Sequence, residues 1–339
     1  MQICICGGGS LAHVCAGVLA SDTNNRVSIL TRRPSEWHDS IEVFDPNGRT
    51  FTGRLAQISA NPAEVVAGAE VVLLCLPGYA IAEVLQQIKP YLSAQTYVGS
   101  IVCSTGFFFF AHEILPPDAL LFGFQRVPFI ARTITYGQSA NLLGYKSEVA
   151  VAIEAPAENV EHLRQWIAQA FLTPTRLLGH YYEASLTNSN PILHTSRLFS
   201  MWKDWDGTPF PTNTPFYREW TLEASEILIA MDEEFMRLLD HLPVDKSQIP
   251  TLLDYYESTD AASLTRKISS IQAFKNILSP MTETPEGWMP DFKSRYFTED
   301  FPYGLQFIKN LAEKHQVSTP QIDQVLTWGL SKLKLNLFS

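Results

Sequence analysis

The chain predicts an α/β protein in which an N-terminal doubly wound parallel sheet is followed by an all-α C-terminal domain. Three observations carry this. A glycine-punctuated strand–turn–helix opens the chain. Strand and helix signals then alternate to about residue 180. After Gly179 the strand signals give way to long helical periodicity. The opening stretch reads Met-Gln-Ile-Cys-Ile-Cys-Gly-Gly-Gly-Ser-Leu-Ala. Ile3, Cys4, Ile5 and Cys6 form the near-continuous apolar run of a central strand buried on both faces. G-x-G-x-x-A follows at Gly7, Gly9 and Ala12. Gly7 permits the tight turn, Gly9 lets a pyrophosphate approach the backbone, and Ala12 lets the helix pack on the strand. A helix over residues 10–20, with Ser10 and Leu11 in its first turn, would aim its amides at that phosphate. This is the Rossmann-type arrangement, and its expected ligand is a dinucleotide.

Residues 26–31 form the second strand. It ends 22 residues after Gly9, where this fold usually places the side chain that reads the ribose. Thr31-Arg32-Arg33 stands there without an acidic residue. An acid would repel a 2′-phosphate, whereas a hydroxyl and two guanidiniums would bind one. NADP is therefore the expected cofactor and NAD the alternative. A solvated basic loop is the other reading of the arginine pair.

Residues 41–59 read as short strands and turns, and Asn61 caps a short helix that begins at Pro62. Residues 70–76 are the clearest strand. Its end, Leu76-Pro77, belongs at the carboxyl edge of the sheet, where a cofactor passes. A helix over 80–91, a strand over 96–103 and a second carboxyl-edge loop, Ser104-Thr105-Gly106, come next. The phenylalanine run at 107–110 reads as helix core. Residues 120–124, the loop Gln125-Arg126-Val127-Pro128, a β-rich stretch to 153, an amphipathic helix over 158–171 and a strand over 175–178 complete the first domain.

The domains are thus 1–180, dinucleotide-binding, and 181–339, helical. In the second, residues 216–242 carry Ile227, Leu228, Met231, Phe235, Leu238 and Leu242 at helical spacing. Asp232, Glu233, Glu234 and Asp240 are expected on the solvated side of that helix. Residues 261–278 predict another helix, with Leu264, Ile268, Ile271, Phe274 and Ile277 inward. Residues 279–293 predict a loop, and helices over 302–315 and 320–335 end the chain.

Composition narrows the partners. A net charge of −10 over 339 residues argues against nucleic acid and anionic membrane surfaces. No apolar stretch reaches the roughly 18 residues of a membrane span, and no secretory segment precedes the first strand. The expected location is cytoplasmic. The five cysteines lack metal-ligand spacing and read as buried free thiols, and no metal site is expected. The thiols of Cys4 and Cys6 are expected on opposite faces of the sheet. Both a monomer and a homodimer suit a helical second domain.

Two stretches of the helical half contain polar residues that core packing does not require: Asn188-Ser189-Asn190-Pro191-Ile192-Leu193-His194 and Arg295-Tyr296-Phe297-Thr298-Glu299-Asp300-Phe301-Pro302-Tyr303-Gly304-Leu305. By composition alone His194 could be a satisfied helix histidine, and Glu299 and Asp300 helix N-terminal charges. Together with Phe216-Tyr217, Asp232-x-Glu234 and Val317-x-Thr319-Pro320, these stretches resemble the opine dehydrogenase family (octopine/nopaline dehydrogenase type) over nearly the whole chain. The first is similar to that family's Asn-Pro-apolar-apolar-His segment. The second is similar to its Arg-Tyr-x-x-Glu-Asp-x-Pro-Tyr-Gly-Leu signature. Two features depart from the family pattern. Arg126 stands where relatives usually have a small polar residue, and Ser104-Thr105-Gly106-Phe107 lacks a Gln found in some members.

The resemblance implies reductive condensation of an amino acid's amine with an α-keto acid, by hydride from NAD(P)H, to a secondary-amine dicarboxylate. It implies His194 and Asp300 as catalytic residues and Arg295, Asn190, Arg126 and Ser104 as substrate-binding residues. The chemistry suits them. His transfers protons near neutral pH, an Asp on its other nitrogen fixes the tautomer, and Arg clamps a carboxylate with two parallel bonds. Two other readings compete: a ketopantoate-reductase-like enzyme, for which no lysine stands in a matching context, and a non-catalytic NADP-binding regulator.

Overall fold

The computed structural model describes residues 1–335. The chain forms two compact units, Met1–Ser185 and a second that begins at Leu186. In chain order the first unit contains β1 (Gln2–Cys6), α1 (Ser10–Ala20), β2 (Arg26–Leu30), β3 (Ser40–Phe44), β4 (Thr50–Arg54), β5 (Gln57–Ser59), α2 (Pro62–Val65), β6 (Val71–Leu74), α3 (Gly78–Ile88), β7 (Tyr97–Ile101), α4 (Phe107–Ile114), β8 (Leu120–Phe124), β9 (Phe129–Thr135), β10 (Ser139–Tyr145), β11 (Val149–Glu154), α5 (Ala157–Ala170), β12 (Thr175–Leu177) and α6 (Tyr181–Ser185).

Eight strands form one sheet in the order β12-β11-β8-β7-β6-β1-β2-β5. From β8 to β5 every pair is parallel, as the alternation of strand and helix requires. The edge differs, because β11 pairs antiparallel with β8. No crossover helix separates β8 from β11, so the chain re-enters the sheet from the edge it left. The intervening β9 and β10 join β3 and β4 in a second sheet of four strands, β4-β3-β10-β9, where the sequence showed only short strands and β-rich character. Helix α1 lies between the sheets, and every residue from Ala12 to Ala20 is buried. Small residues allow this. A Cβ on Gly17 would overlap Val43, and one on Gly53 would lie 2.6 Å from the Cβ of Ala20. Cys4 and Cys6 share a face and join one apolar core with Val72, Leu74 and Ile81. The expectation of opposite faces is corrected by the two-residue period of a strand. Among the described residues all five cysteines are free.

The second unit contains α7 (Asn190–Trp202), α8 (Leu222–Leu239), α9 (Leu252–Tyr255), α10 (Ala261–Ser270), β13 (Met281–Thr284), β14 (Gly287–Pro290), α11 (Arg295–Thr298), a π-helical turn (Phe301–Leu305), α12 (Gln306–Lys314) and α13 (Pro320–Leu335). The hairpin β13–β14 occupies the stretch expected as loop. Helix α10 stops at Ser270, short of the expected 278, and Ile277 is exposed. The backbone beyond it hydrogen-bonds elsewhere: Phe216 N–H donates to the Ile277 carbonyl and Ser279 N–H to that of Thr214. Helix α8 starts at Leu222, capped by the Thr221 hydroxyl, so residues 216–220 lie outside it.

Asp232 and Glu234 are buried rather than solvated. Asp232 accepts from the Leu252 N–H at 2.8 Å, and Glu234 accepts from the N–H groups of Gln321 and Ile322 at 2.8 and 2.9 Å. The first amides of a helix have no partner within it, so α9 and α13 recruit these carboxylates from α8. Burial pushes the Asp232 carboxyl up to about 6.

Candidate active site

The turn between β1 and α1 is shaped for close approach. Gly7 has φ +140°, and a Cβ there would lie 2.5 Å from the Cys75 carbonyl oxygen. At Gly9 a Cβ would meet nothing within 4 Å, so open space lies over the N-terminus of α1. A phosphate group fits that opening, where unpaired helix amides favour an anion. Leu11 is half-buried and Ala12 fully buried. The Ser10 hydroxyl is tied to β9, accepting from both the N–H and the hydroxyl of Thr133 at 3.0 Å.

His13, one turn further, is fully buried, and the sequence reading passed over it. Its Nε2 accepts from the Gly137 N–H at 2.7 Å, so Nδ1 carries the proton and donates to the Gly9 carbonyl at 2.9 Å. Burial holds its pKa below the ordinary value, against the raising effect of the Gly9 carbonyl. The neutral ring thus pins the glycine turn to the turn between β9 and β10. A histidine within a helix of small and apolar residues was the available signal.

Gly7, Thr31, Arg32, Leu76 and Pro77 converge on one cavity of about 150 Å³ in this unit. The two arginines of the predicted pair diverge. Arg33 pairs with Glu36 at 3.0 Å and lies 3.9 Å over the Tyr136 ring. Arg32 is exposed, lines the cavity and makes no ion pair among the described residues. Ser104 is half-buried in a short turn after β7, and Arg126 is exposed in the loop after β8.

In the second unit α7 and the segment before the π-helical turn bring together two residues 106 positions apart. His194 Nδ1 lies 2.7 Å from Asp300 Oδ2, and both side chains are largely buried. The other nitrogen, Nε2, lies 2.7 Å from the Tyr217 hydroxyl. The Tyr296 ring is 4.6 Å from the imidazole. Helix α7 is buried from Pro191 to Phe199, which makes His194 an interior residue with two polar partners. Arg197 is buried on the same helix. It donates from Nε to the Phe216 carbonyl at 3.1 Å and from Nη2 to the Glu219 carbonyl at 2.7 Å. Burial pushes this guanidinium down to about 10. The sequence reading missed Arg197 and left Tyr217 without a role; an arginine three residues after His194 on an apolar helix was the signal. Arg295 and Asn190 are exposed at the first positions of α11 and α7. Among the described residues no group of three or more His, Cys, Asp or Glu side chains is arranged to hold a metal ion.

A parallel-sheet unit with an open glycine turn, followed by a helical unit with a histidine–carboxylate pair, defines an NAD(P)-dependent oxidoreductase. Residues 177–333 match the family described as NAD/NADP octopine/nopaline dehydrogenase, alpha-helical domain. Residues 3–105 match ketopantoate reductase PanE/ApbA, a match confined to the first unit. The tauropine dehydrogenase of Arabella iricolor is 28% identical over 355 residues, covering 96% of this chain and 89% of that protein. The octopine dehydrogenase of Pecten maximus is 27% identical, covering 98% and 90%. A solved octopine dehydrogenase with NADH and L-arginine superposes with a TM-score of 0.84 at 26% identity, over 98% of this chain and 89% of that one. Nearly the whole chain is thus similar to opine dehydrogenases, and residues 177–333 match that family's helical domain.

Proposed function

We propose that this protein joins the amine of an amino acid to an α-keto acid and reduces the resulting imine to a secondary-amine dicarboxylate. The observation that carries the reading is the His194–Asp300 pair, 2.7 Å apart and largely buried. When bound, the reduced nicotinamide supplies the hydride. The chain's own residues do the rest. The open turn at Gly9 and the cavity beside Arg32 hold the dinucleotide, with Arg32 as the group that favours a 2′-phosphate and hence NADPH over NADH. His194 moves protons during amine addition and loss of water, and Asp300 holds its tautomer and stabilises the imidazolium. Arg295 clamps a substrate carboxylate, with Asn190, Arg126 and Ser104 completing substrate recognition.

Solved relatives support the amine and keto acid classes. Structural neighbours at 26% identity are octopine dehydrogenases solved with NADH and L-arginine, with NADH and agmatine, and with NADH and pyruvate. We assign the protein to the cytoplasm, as a monomer or homodimer; no helix among the described residues is long and apolar enough to cross a membrane. The test is consumption of NADPH and NADH with pyruvate, glyoxylate or 2-oxoglutarate against a panel of amino acids that includes arginine. Oxidation that needs both amine and keto acid is the expected result. Oxidation with a keto acid alone would identify a ketone reductase instead, and no oxidation despite tight cofactor binding would identify a regulator.

A further inference from the structure

His194 has no free ring nitrogen. Nδ1 faces Asp300 and Nε2 faces the Tyr217 hydroxyl, each at 2.7 Å. A proton-transfer group engaged on both sides reaches a substrate either through a partner or after that partner has left. Tyr217 is held in place. It is only 5% exposed. Its ring is stacked with Trp220, with centroids 6.3 Å apart and planes 6° apart, and with Phe274, at 4.4 Å and 28°. Phe216 meets it edge-on at 4.9 Å. The flanking backbone is pinned as well, because Arg197 holds the carbonyls of Phe216 and Glu219. Swinging the phenol aside would unstack the rings and leave the buried imidazole nitrogen without a partner.

The imidazole has a further aromatic neighbour: the Tyr296 ring lies 4.6 Å from it, and Tyr296 is half-buried, less enclosed than Tyr217. Burial raises both phenols above their ordinary pKa, so both remain protonated near neutral pH. A protonated hydroxyl that accepts on one side and donates on the other passes a proton along without changing its own charge.

We propose that Tyr217 relays the proton between His194 and the substrate. This rests on the reading of His194 as the proton-transfer residue. In the reductive direction the imidazolium Nε2–H moves to the Tyr217 oxygen as the Tyr217 proton moves to the hydroxyl of the amine–keto acid adduct. The C–O bond breaks with its electron pair leaving on the oxygen as water, while the nitrogen lone pair forms the C=N bond. His194 ends one proton poorer, the leaving group one proton richer, and the phenol as it began; nothing is oxidised or reduced in this step.

The test compares Tyr217→Phe and His194→Asn in single-turnover kinetics, with the most active amine and keto acid pair, beginning with L-arginine and pyruvate. Tyr217→Phe keeps the ring stack but leaves Nε2 without a partner, so the thermal midpoint should fall modestly while cofactor affinity stays as in the wild type. Its single-turnover rate should fall by about 10- to 100-fold, within the range of a general acid–base contribution. In a second variant 3-fluorotyrosine replaces Tyr217, which keeps the stack and makes the phenol more acidic. Its pH–rate profile should shift relative to wild type. A fully active Tyr217→Phe beside an inactive His194→Asn overturns the relay and leaves the role of His194 standing. So does a fluorotyrosine profile that coincides with wild type, even if the Phe variant folds poorly. A fully active His194→Asn overturns the role of His194, and the relay with it.

Discussion

Gly304 lies against Pro191 so closely that a Cβ at residue 304 would overlap the proline ring. Gly304 belongs to the π-helical turn that follows Asp300, and Pro191 is the second residue of α7, three residues before His194. This contact between backbone and ring sets the approach of the two segments that carry the histidine–carboxylate pair. Gly304→Ala should push them apart, at a cost of about 1–3 kcal/mol for overpacking. Thermal unfolding should show that loss, and kcat should fall while cofactor affinity holds. An unchanged kcat would show that the pair does not depend on this contact.

His194 and Asp300 should behave as one unit. His194→Ala should lower kcat by about 10²–10⁴-fold with cofactor binding intact, the usual size of a general acid–base contribution. Asp300→Asn should cost less. The double variant should be little worse than His194→Ala, because residues that act together are not additive. Steady-state kinetics of the three variants measures this, and additive losses would separate the two roles.

Cofactor choice should turn on Arg32 more than on Arg33, whose guanidinium is already engaged by Glu36 and Tyr136. Arg32→Ala should weaken NADPH binding by roughly 1.5–3 kcal/mol, the value of a hydrogen bond to a charged group, and leave NADH nearly unaffected. Arg33→Ala alone should do less. Fluorescence titration with both cofactors decides it, and a wild-type protein that binds NADH as tightly as NADPH would end the proposal.

Asp232 should make stability depend on pH in the less common direction. Burial pushes its carboxyl up to about 6 in the folded protein, from an ordinary value of 3.8. Between about pH 4 and pH 6 the folded state therefore holds more protons than the unfolded one, and stability falls as pH rises through that window. Two pK units correspond to about 3 kcal/mol. Asp232→Asn keeps an oxygen that can accept from Leu252 N–H and removes the titration. It should raise the thermal midpoint at pH 8 and match wild type near pH 4. Calorimetry at the two pH values checks it, and equal midpoint differences at both would sink the prediction.

Local pattern carried the parts of the molecule that local chemistry decides. The glycine turn, the parallel strands and the cap at Asn61 follow from short-range rules, and α1 spans the expected residues 10–20. His194 and Asp300 were legible because their flanking residues resemble a known family. What sequence hid depends on distant partners. Asp232 and Glu234 sit at polar positions of an amphipathic pattern, and only the starts of α9 and α13, brought alongside by folding, explain their burial. Residues 216–220 look helical, yet Arg197 claims two of their carbonyls for its own hydrogen bonds. Arg32 and Arg33 are neighbours in sequence and face different partners because Glu36 and Tyr136 take only one of them.

The tie between His13 and Gly137 joins residues 124 positions apart. It has a kinetic consequence. Closing so long a loop is entropically costly and comes late, after helices and hairpins have formed. The glycine turn reaches its final shape only when the second sheet docks on α1, however early β1 and α1 themselves appear. During refolding, the fluorescence of bound reduced cofactor should therefore lag the recovery of helical circular dichroism. A nascent chain released before residue 137 would carry the whole G-x-G-x-x-A sequence and still be unable to grip a dinucleotide.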